Sequence, residues 1–367
     1  MQQWYEKMSS EKKEVGSKKT EVGSKSQVSN HQYYILTLVG AEETLQKEIE
    51  QLTMKTEIVD VGVLQATLTK EQATMIGYAT RTVIGVHKEF KKDAVKEKQF
   101  TICSANVHNQ QEIREQISEE LKESGGLLNY KEPELFLALV TVKGKVILCQ
   151  DMFGDLGKRD YRIFTGKHGL VPTTMNVLVD MCEIKNKGII AFPWCSDGIL
   201  AIETVHSLTR MSPHKYTKQK FVDATELLEQ YDSQEEEMKA KIFLLDKEFR
   251  NVNNARKNAI LANVEKKVDF SRTAVEDLDL KFDDMSVDAI LTIPPQPSEH
   301  NDPTPMWNDF FKRGGQVLKK KGIIGVLLTA GMEKFTLLAE KKGFVKEKET
   351  IIQQGQRTVH AIVYRKK

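Results

Sequence analysis

Three short stretches of this chain combine residue types and spacing that suit chemistry. The first is Gly188 to Glu203, reading G-I-I-A-F-P-W-C-S-D-G-I-L-A-I-E. Its apolar run Ile189–Phe192 predicts a buried strand, and Ile199, Ile202 and Val205 then recur at helical spacing. Between them lies a turn of Pro193, Trp194, Cys195, Ser196, Asp197 and Gly198. Strand, small-residue turn and helix build a cofactor pocket at the carboxyl edge of a doubly wound sheet, and they also build any ordinary strand-to-helix corner. The second is Asp246, at the end of the predicted strand Ile242–Leu245. A carboxylate there can accept both hydroxyls of a ribose or cap the helix that follows. The third is the loop Ile293-Pro294-Pro295-Gln296-Pro297, which follows the predicted strand Asp288–Thr292.

Two basic clusters add a different chemistry. Lys158-Arg159-Asp160-Tyr161-Arg162, with Lys167 and His168, offers cations to phosphates and an aromatic ring to a base or sugar. Lys88, Lys91, Lys92, Lys96 and Lys98 form the other cluster. Each reads equally as a solvated charged loop. The net charge of +2 is too small to imply nucleic-acid binding by itself.

The elements that position these residues follow from 367 residues that are 40% hydrophobic and 29% charged, enough for two or three soluble domains. Residues 1–30 are polar, lysine-rich and Gly/Ser-punctuated, and read as a disordered tail with no secretory core. Residues 31–165 alternate strands and helices over one compact α+β domain: strands at 33–39, 58–68, 86–90 and 100–105, helices at 41–52, 70–77 and 110–121, and a hairpin around Gly144. Residues 166–367 follow an α/β pattern, interrupted at 212–241 by a polar stretch that reads as a solvated excursion. Trp307, Phe310 and Phe311 sit at helical spacing and read as core. Cys103, Cys149, Cys182 and Cys195 lack C-x-x-C spacing, which excludes a zinc framework and favours a reducing, cytoplasmic setting. The longest apolar run, Gly322–Gly331, is about half a membrane span.

The 193–203 turn resembles the first motif of class I S-adenosylmethionine-dependent RNA methyltransferases, usually D-P-F-C-G-S-G-T-I-L-I-E-A, through Pro193, Cys195, Gly198, Ile202 and Glu203. N-V-N-N-A-R-K-N-A, residues 251–259 after Asp246, resembles the second motif, and G-Q-R-T-V-H-A-I-V-Y at the end resembles archaeal tRNA guanine-N2 methyltransferases. Gly40 with Glu42 and Glu43, Thr80-Arg81-Thr82, Pro133 and Lys158–Arg162 resemble a ferredoxin-like plus THUMP domain. The resemblance implies a THUMP RNA-binding domain before a Rossmann-like methyltransferase domain, with RNA, typically tRNA, as partner and no metal. It implies S-adenosylmethionine along Phe192, Pro193, Cys195, Asp197, Gly198, Asp246 and Glu276. It implies RNA contacts from Lys158, Arg159, Tyr161, Arg162 and Lys167. The 293–296 loop would hold a guanosine amine, since two acceptors localise its lone pair while an aromatic residue stacks on the flipped base.

This chain departs from those motifs. Phe192 stands for Asp, Ser196-Asp197 for Gly-Ser, and Ala274 lies near the adenine-binding acid. Ile293 brings no acceptor, and Gln296 replaces the stacking aromatic. Two readings therefore stand: an active methyltransferase, or a catalytically inactive relative that binds RNA or acts in assembly.

Overall fold

The computed structural model describes residues 29–106, 111–166, 168–221, 224–300 and 302–367. The predicted tail therefore lies almost wholly outside the described residues, and Lys167 lies outside them too. The chain divides into two compact units, one of residues 29–37 and 42–156, the other of 38–41 and 157–367.

The first unit runs β1 (His31–Leu36), α1 (Glu42–Gln51), β2 (Glu57–Asp60), β3 (Val63–Leu68), α2 (Lys70–Ala79), β4 (Gly85–Glu89), β5 (Gln99–Ser104), α3 (Gln111–Glu123), β6 (Leu127–Leu128), β7 (Leu135–Val142) and β8 (Lys145–Asp151). One eight-stranded sheet orders them β2-β3-β1-β4-β8-β7-β5-β6. β5 runs parallel to β7 and β6, and the other pairs are antiparallel. Helix α2 starts with a capping box: Thr69 accepts from Gln72 N while Gln72 accepts from Thr69 N. The Thr80-Arg81-Thr82 segment that follows is anchored by Glu48, whose carboxylate accepts from Arg81 N, Thr82 N and Thr82 Oγ1. In the second lysine cluster Lys91, Lys96 and Lys98 are exposed, Lys88 is half-buried, and Lys92 pairs with Glu120.

The second unit runs α4 (Pro172–Met181), β9 (Ile189–Pro193), α5 (Ile199–Thr209), α6 (Thr225–Asp232), β10 (Lys241–Leu245), α7 (Phe249–Leu261), β11 (Val268–Ser271), α8 (Leu278–Lys281), β12 (Val287–Thr292), α9 (Thr304–Val317), β13 (Leu318–Leu328), α10 (Met332–Lys341), β14 (Phe344–Gln354) and β15 (Arg357–Lys366). Its sheet is ordered β11-β10-β9-β12-β13-β15-β14. The first five strands are parallel, and β15 is antiparallel to both neighbours. Strand order reverses between β9 and β12, so the loops after β9, β10 and β12 meet at one switch point of the carboxyl edge.

Two apolar layers cover the sheet. Ile190, Phe192, Leu244 and Leu291 pack with α4, α5 and α7 on one face. Trp307, Phe310, Phe311 and Phe335 pack with Ile290 and Tyr364 on the other, which places the aromatic run of α9 in the core. Two expectations are corrected. The 212–241 stretch is not simply solvated, because Phe221, Leu228 and Tyr231 are buried and α6 supplies the last two. Residues 157–165, expected to close the first domain, group with the second, because Arg159 and Tyr161 bond to α5.

Gly198 shows how tightly this edge is built. Its φ is +76°, and a Cβ there would lie 2.7 Å from Ala255 Cβ and 2.9 Å from Ala255 Cα on α7. Gly198→Ala should therefore cost about 2–5 kcal/mol of stability, from left-handed backbone plus overpacking. A denaturant titration checks this, and an unchanged midpoint would refute it.

Candidate functional site

The turn after β9 is wound by three residues with positive φ, Trp194, Ser196 and Gly198. Its amides are taken by the chain itself. Cys195 N donates to Leu245 O at 3.0 Å, Ser196 N to Asp246 Oδ2 at 3.2 Å, and Gly198 N to Cys195 O at 2.8 Å. Ile199 N, at the start of α5, donates to Asp197 Oδ1 at 3.3 Å.

Asp197 is 1% exposed and sits under the segment before α4. Its carboxylate accepts from Gly166 N at 3.1 Å and Arg162 Nη2 at 3.5 Å, and His168 Nε2 lies 3.3 Å away. Leu170 N donates to His168 Nδ1, which leaves Nε2 to carry the proton toward Asp197. Burial by itself would raise the Asp197 carboxyl, yet His168, Arg162 and the Gly166 amide outweigh it and hold it below the usual carboxylate range. Gly166 comes so close that a Cβ on it would meet Ser196 Oγ at 2.0 Å.

Asp246, also buried, accepts from Glu248 N (2.9 Å), Asn251 Nδ2 (3.0 Å) and Ser196 N (3.2 Å). Phe192, Pro193, Cys195 and Asp197 line a cavity with Trp194, Leu200, Ala201, Leu291, Thr292 and Ile293, and the space between them holds about one water molecule. Glu276 is exposed in the turn after β11 and is not among these lining residues.

The 293–296 loop is closed in the same manner. Ile293 is half-buried and packs into the core. Gln296 Nε2 donates to Pro294 O at 2.6 Å, while its Oε1 accepts from Thr329 N at 2.9 Å and from Ala330 N at 3.3 Å. Trp307 Nε1 takes Pro295 O at 3.0 Å. The side chain at 293 brings no acceptor, and Gln296 already covers the backbone carbonyl at 294.

Of the expected RNA contacts, Lys158 is exposed. Arg159 and Tyr161 are corrected: both are buried and inward-facing. Arg159 Nε donates to Glu203 Oε1 at 3.0 Å, Tyr161 Oη donates to the same oxygen, and Asn176 Nδ2 donates to Glu203 Oε2 at 2.6 Å. Both side chains of the Arg159–Glu203 pair have no exposed area, so neither reaches a phosphate. Burial opposes charge on each, but their attraction prevails: the Glu203 pKa is lowered and the Arg159 pKa raised. Arg162 is spent on Asp197.

Sequence reasoning missed Asn258, which is fully buried. Its Nδ2 donates to Phe164 O (2.8 Å) and Asp197 O (2.9 Å), and its Oδ1 accepts from Phe164 N (3.1 Å). An asparagine amid small residues on the inner face of α7 was the available signal.

A Rossmann-like sheet ordered β11-β10-β9-β12-β13-β15-β14, with the loops after β9, β10 and β12 meeting at its carboxyl edge, defines the fold class. More than half of the chain, residues 159–360, matches the family described as RMKL-like, methyltransferase domain, and the chain belongs to that family. It is 29% identical over 178 residues to the tRNA (guanine(6)-N2)-methyltransferase of Methanocaldococcus jannaschii, a match spanning 46% of each, so the chain covers about half the length of that relative. Among solved structures it is similar to a possible methylase from Clostridium difficile 630 (TM-score 0.77, 19% identity, 92% of this chain and 98% of that one). It is also similar to TrmN from Thermus thermophilus (0.68, 15%, 92% and 100%). A third, SMU.472, is complexed with SAH (0.75, 16%, 92% and 98%). At these identities the likeness is one of fold.

S-adenosylmethionine is the cofactor this class implies, and several of the groups that would hold it are engaged within the chain. The turn amides named above are bonded within the chain, and Asp246 already accepts three hydrogen bonds. Among the described residues, no group of three or more His, Cys, Asp or Glu is placed to hold a metal ion. No helix there is long and apolar enough to cross a membrane.

Removing one partner of the buried pair is the sharper structural test. Glu203→Leu should cost about 3–5 kcal/mol by stranding Arg159, whereas Arg159→Met with Glu203→Leu should recover most of it. Equal losses in the single and double variants would refute the pairing. Acid provides an independent check. The folded pKa values of Asp197 and Glu203 are depressed, so their contribution is complete above the unfolded values of about 4 and is lost as pH falls through the folded ones. The melting midpoint should drop steeply below about pH 4, and Asp197→Asn should flatten part of that drop. Parallel profiles for wild type and Asp197→Asn would count against it.

Proposed function

We propose that this chain is an RNA-binding member of the methyltransferase family in which the cofactor edge and the amine-binding loop serve the chain's own structure rather than methyl transfer. The observation that carries this reading is that the groups a cofactor and a target amine would use are already bonded internally: Asp197 to Gly166, Arg162 and His168, and Pro294 O to Gln296. A ligand must break those bonds and meet the translational cost of association as well.

RNA binding is supported by the THUMP-like and ferredoxin-like motif order before the methyltransferase domain. The tRNA enzyme to which the chain is similar, and the exposed Lys91, Lys96, Lys98 and Lys158, support it too. We take tRNA as the first RNA to test, the second unit as the former transferase domain and the first unit as the RNA clamp.

A second reading, transfer to a guanosine exocyclic amine, is favoured by Asp246 at the strand end and the Pro294-Pro295 backbone. The two are separated by calorimetric titration of the full chain with S-adenosylmethionine to millimolar concentration. The expected result is no heat of binding. A micromolar Kd would overturn the proposal, and Ile293→Asn should then raise methyl transfer to tRNA. Fluorescence anisotropy with tRNA should show binding that weakens with salt, since phosphate contacts release counterions.

A further inference from the structure

The outward face of α7 is a surface for which the fold offers no purpose. Val252, Ala255, Asn258 and Ala259 form its buried stripe. The opposite face carries Phe249, Arg250, Asn253, Lys257 and Ile260, which fall together at helical spacing. Phe249 is 68% exposed and Ile260 52%, values a helix face does not need for packing. The whole helix, F-R-N-V-N-N-A-R-K-N-A-I-L, holds three cations and four asparagines and no acidic residue.

The surface continues onto neighbouring segments. Lys257 Nζ lies 4.7 Å above the Phe164 ring, and Asn258 fixes the backbone of that same residue. Beside Phe164, Ile163 is 63% exposed. At the other end of the helix Arg272 Nε donates to Lys247 O at 3.0 Å, which brings a further cation to the backbone two residues before Phe249. Of the nearby acids, Glu248 is exposed beside Lys247, buried Asp246 accepts from Asn251 Nδ2, and Glu265 pairs with Arg256 at 3.7 Å.

We propose that this face, Phe249 with Lys247, Arg250, Asn253, Lys257 and Phe164, is a docking surface for single-stranded RNA. Bases stack on exposed aromatics whatever their identity, cations follow the backbone, and asparagine amides bond to base edges or phosphates. A protein partner of acidic character would use the cations but leave Phe249 idle. This inference rests on the RNA-binding reading above, and it supplies an RNA contact in place of the buried Arg159 and Tyr161.

The test uses the full chain and a single-stranded oligouridine of about 12 nucleotides, alongside tRNA. Phe249→Ala should weaken binding about 5- to 150-fold, the range measured for one stacked base. Arg250→Gln with Lys257→Gln should lower the slope of log K against log salt by about 1.4. All three side chains are exposed, so melting midpoints should not move, and Lys320→Gln with Lys321→Gln on the opposite edge should leave binding unchanged. If the wild type binds RNA and Phe249→Ala binds equally well, the surface proposal fails while the RNA reading stands. If the wild type binds neither RNA, both fail. Loss of binding to phosphatidylserine vesicles, with RNA binding intact, would assign the face to a membrane and overturn the proposal.

Discussion

One buried carboxylate governs the shape of the second unit's carboxyl edge. Asp197 is held in a turn wound by left-handed residues, and burial alone would drive it toward the neutral form. It stays charged because Arg162, His168 and the Gly166 amide converge on it, which draws the segment before α4 down over the turn. A buried charge demands partners, and here they come from the segment before α4. Asn258 completes the arrangement by bonding to both sides, the 163–164 backbone and the Asp197 carbonyl.

Competition between internal and external partners gives the edge its character. Gln296 repeats at the third loop what Asp197 does at the first: a polar side chain satisfies its own amide and carbonyl with the chain's groups and so covers the backbone. Internal partners are tethered and incur no association cost, so a ligand competes at a disadvantage. A smaller side chain at 197 would remove the bonds to Gly166, Arg162 and His168, whereas Cys195 N to Leu245 O and Gly198 N to Cys195 O are backbone bonds and would remain. The proposed loss of transfer thus follows from a few side chains on an intact scaffold.

The cations of this unit divide into two populations. Arg159 is consumed by Glu203 and Arg162 by Asp197, and both stabilise the junction of the 157–168 segment with α5. Others, on α7, remain in solvent beside unburied aromatic and aliphatic groups. A count of Lys and Arg does not distinguish the two, because burial decides which charges face outward.

The sequence by itself determined the order of elements. The run Ile189–Phe192, the helical spacing of Ile199, Ile202 and Val205, and the strand Ile242–Leu245 ending at Asp246 follow from apolar periodicity, which is local and legible. It also set the residue types at 192, 196, 197, 293 and 296. Tertiary structure alone decided what those residues do. The inward turn of Arg159 and Tyr161 depends on Glu203, which lies 44 and 42 residues away, and the capture of Asp197 depends on Gly166 and His168 some 30 positions earlier. The burial of Phe221, Leu228 and Tyr231 within a polar stretch came likewise from distant packing. Partners chosen across such distances leave no periodic trace in the chain, because a hydrogen bond or ion pair is a property of where folding brings two groups together.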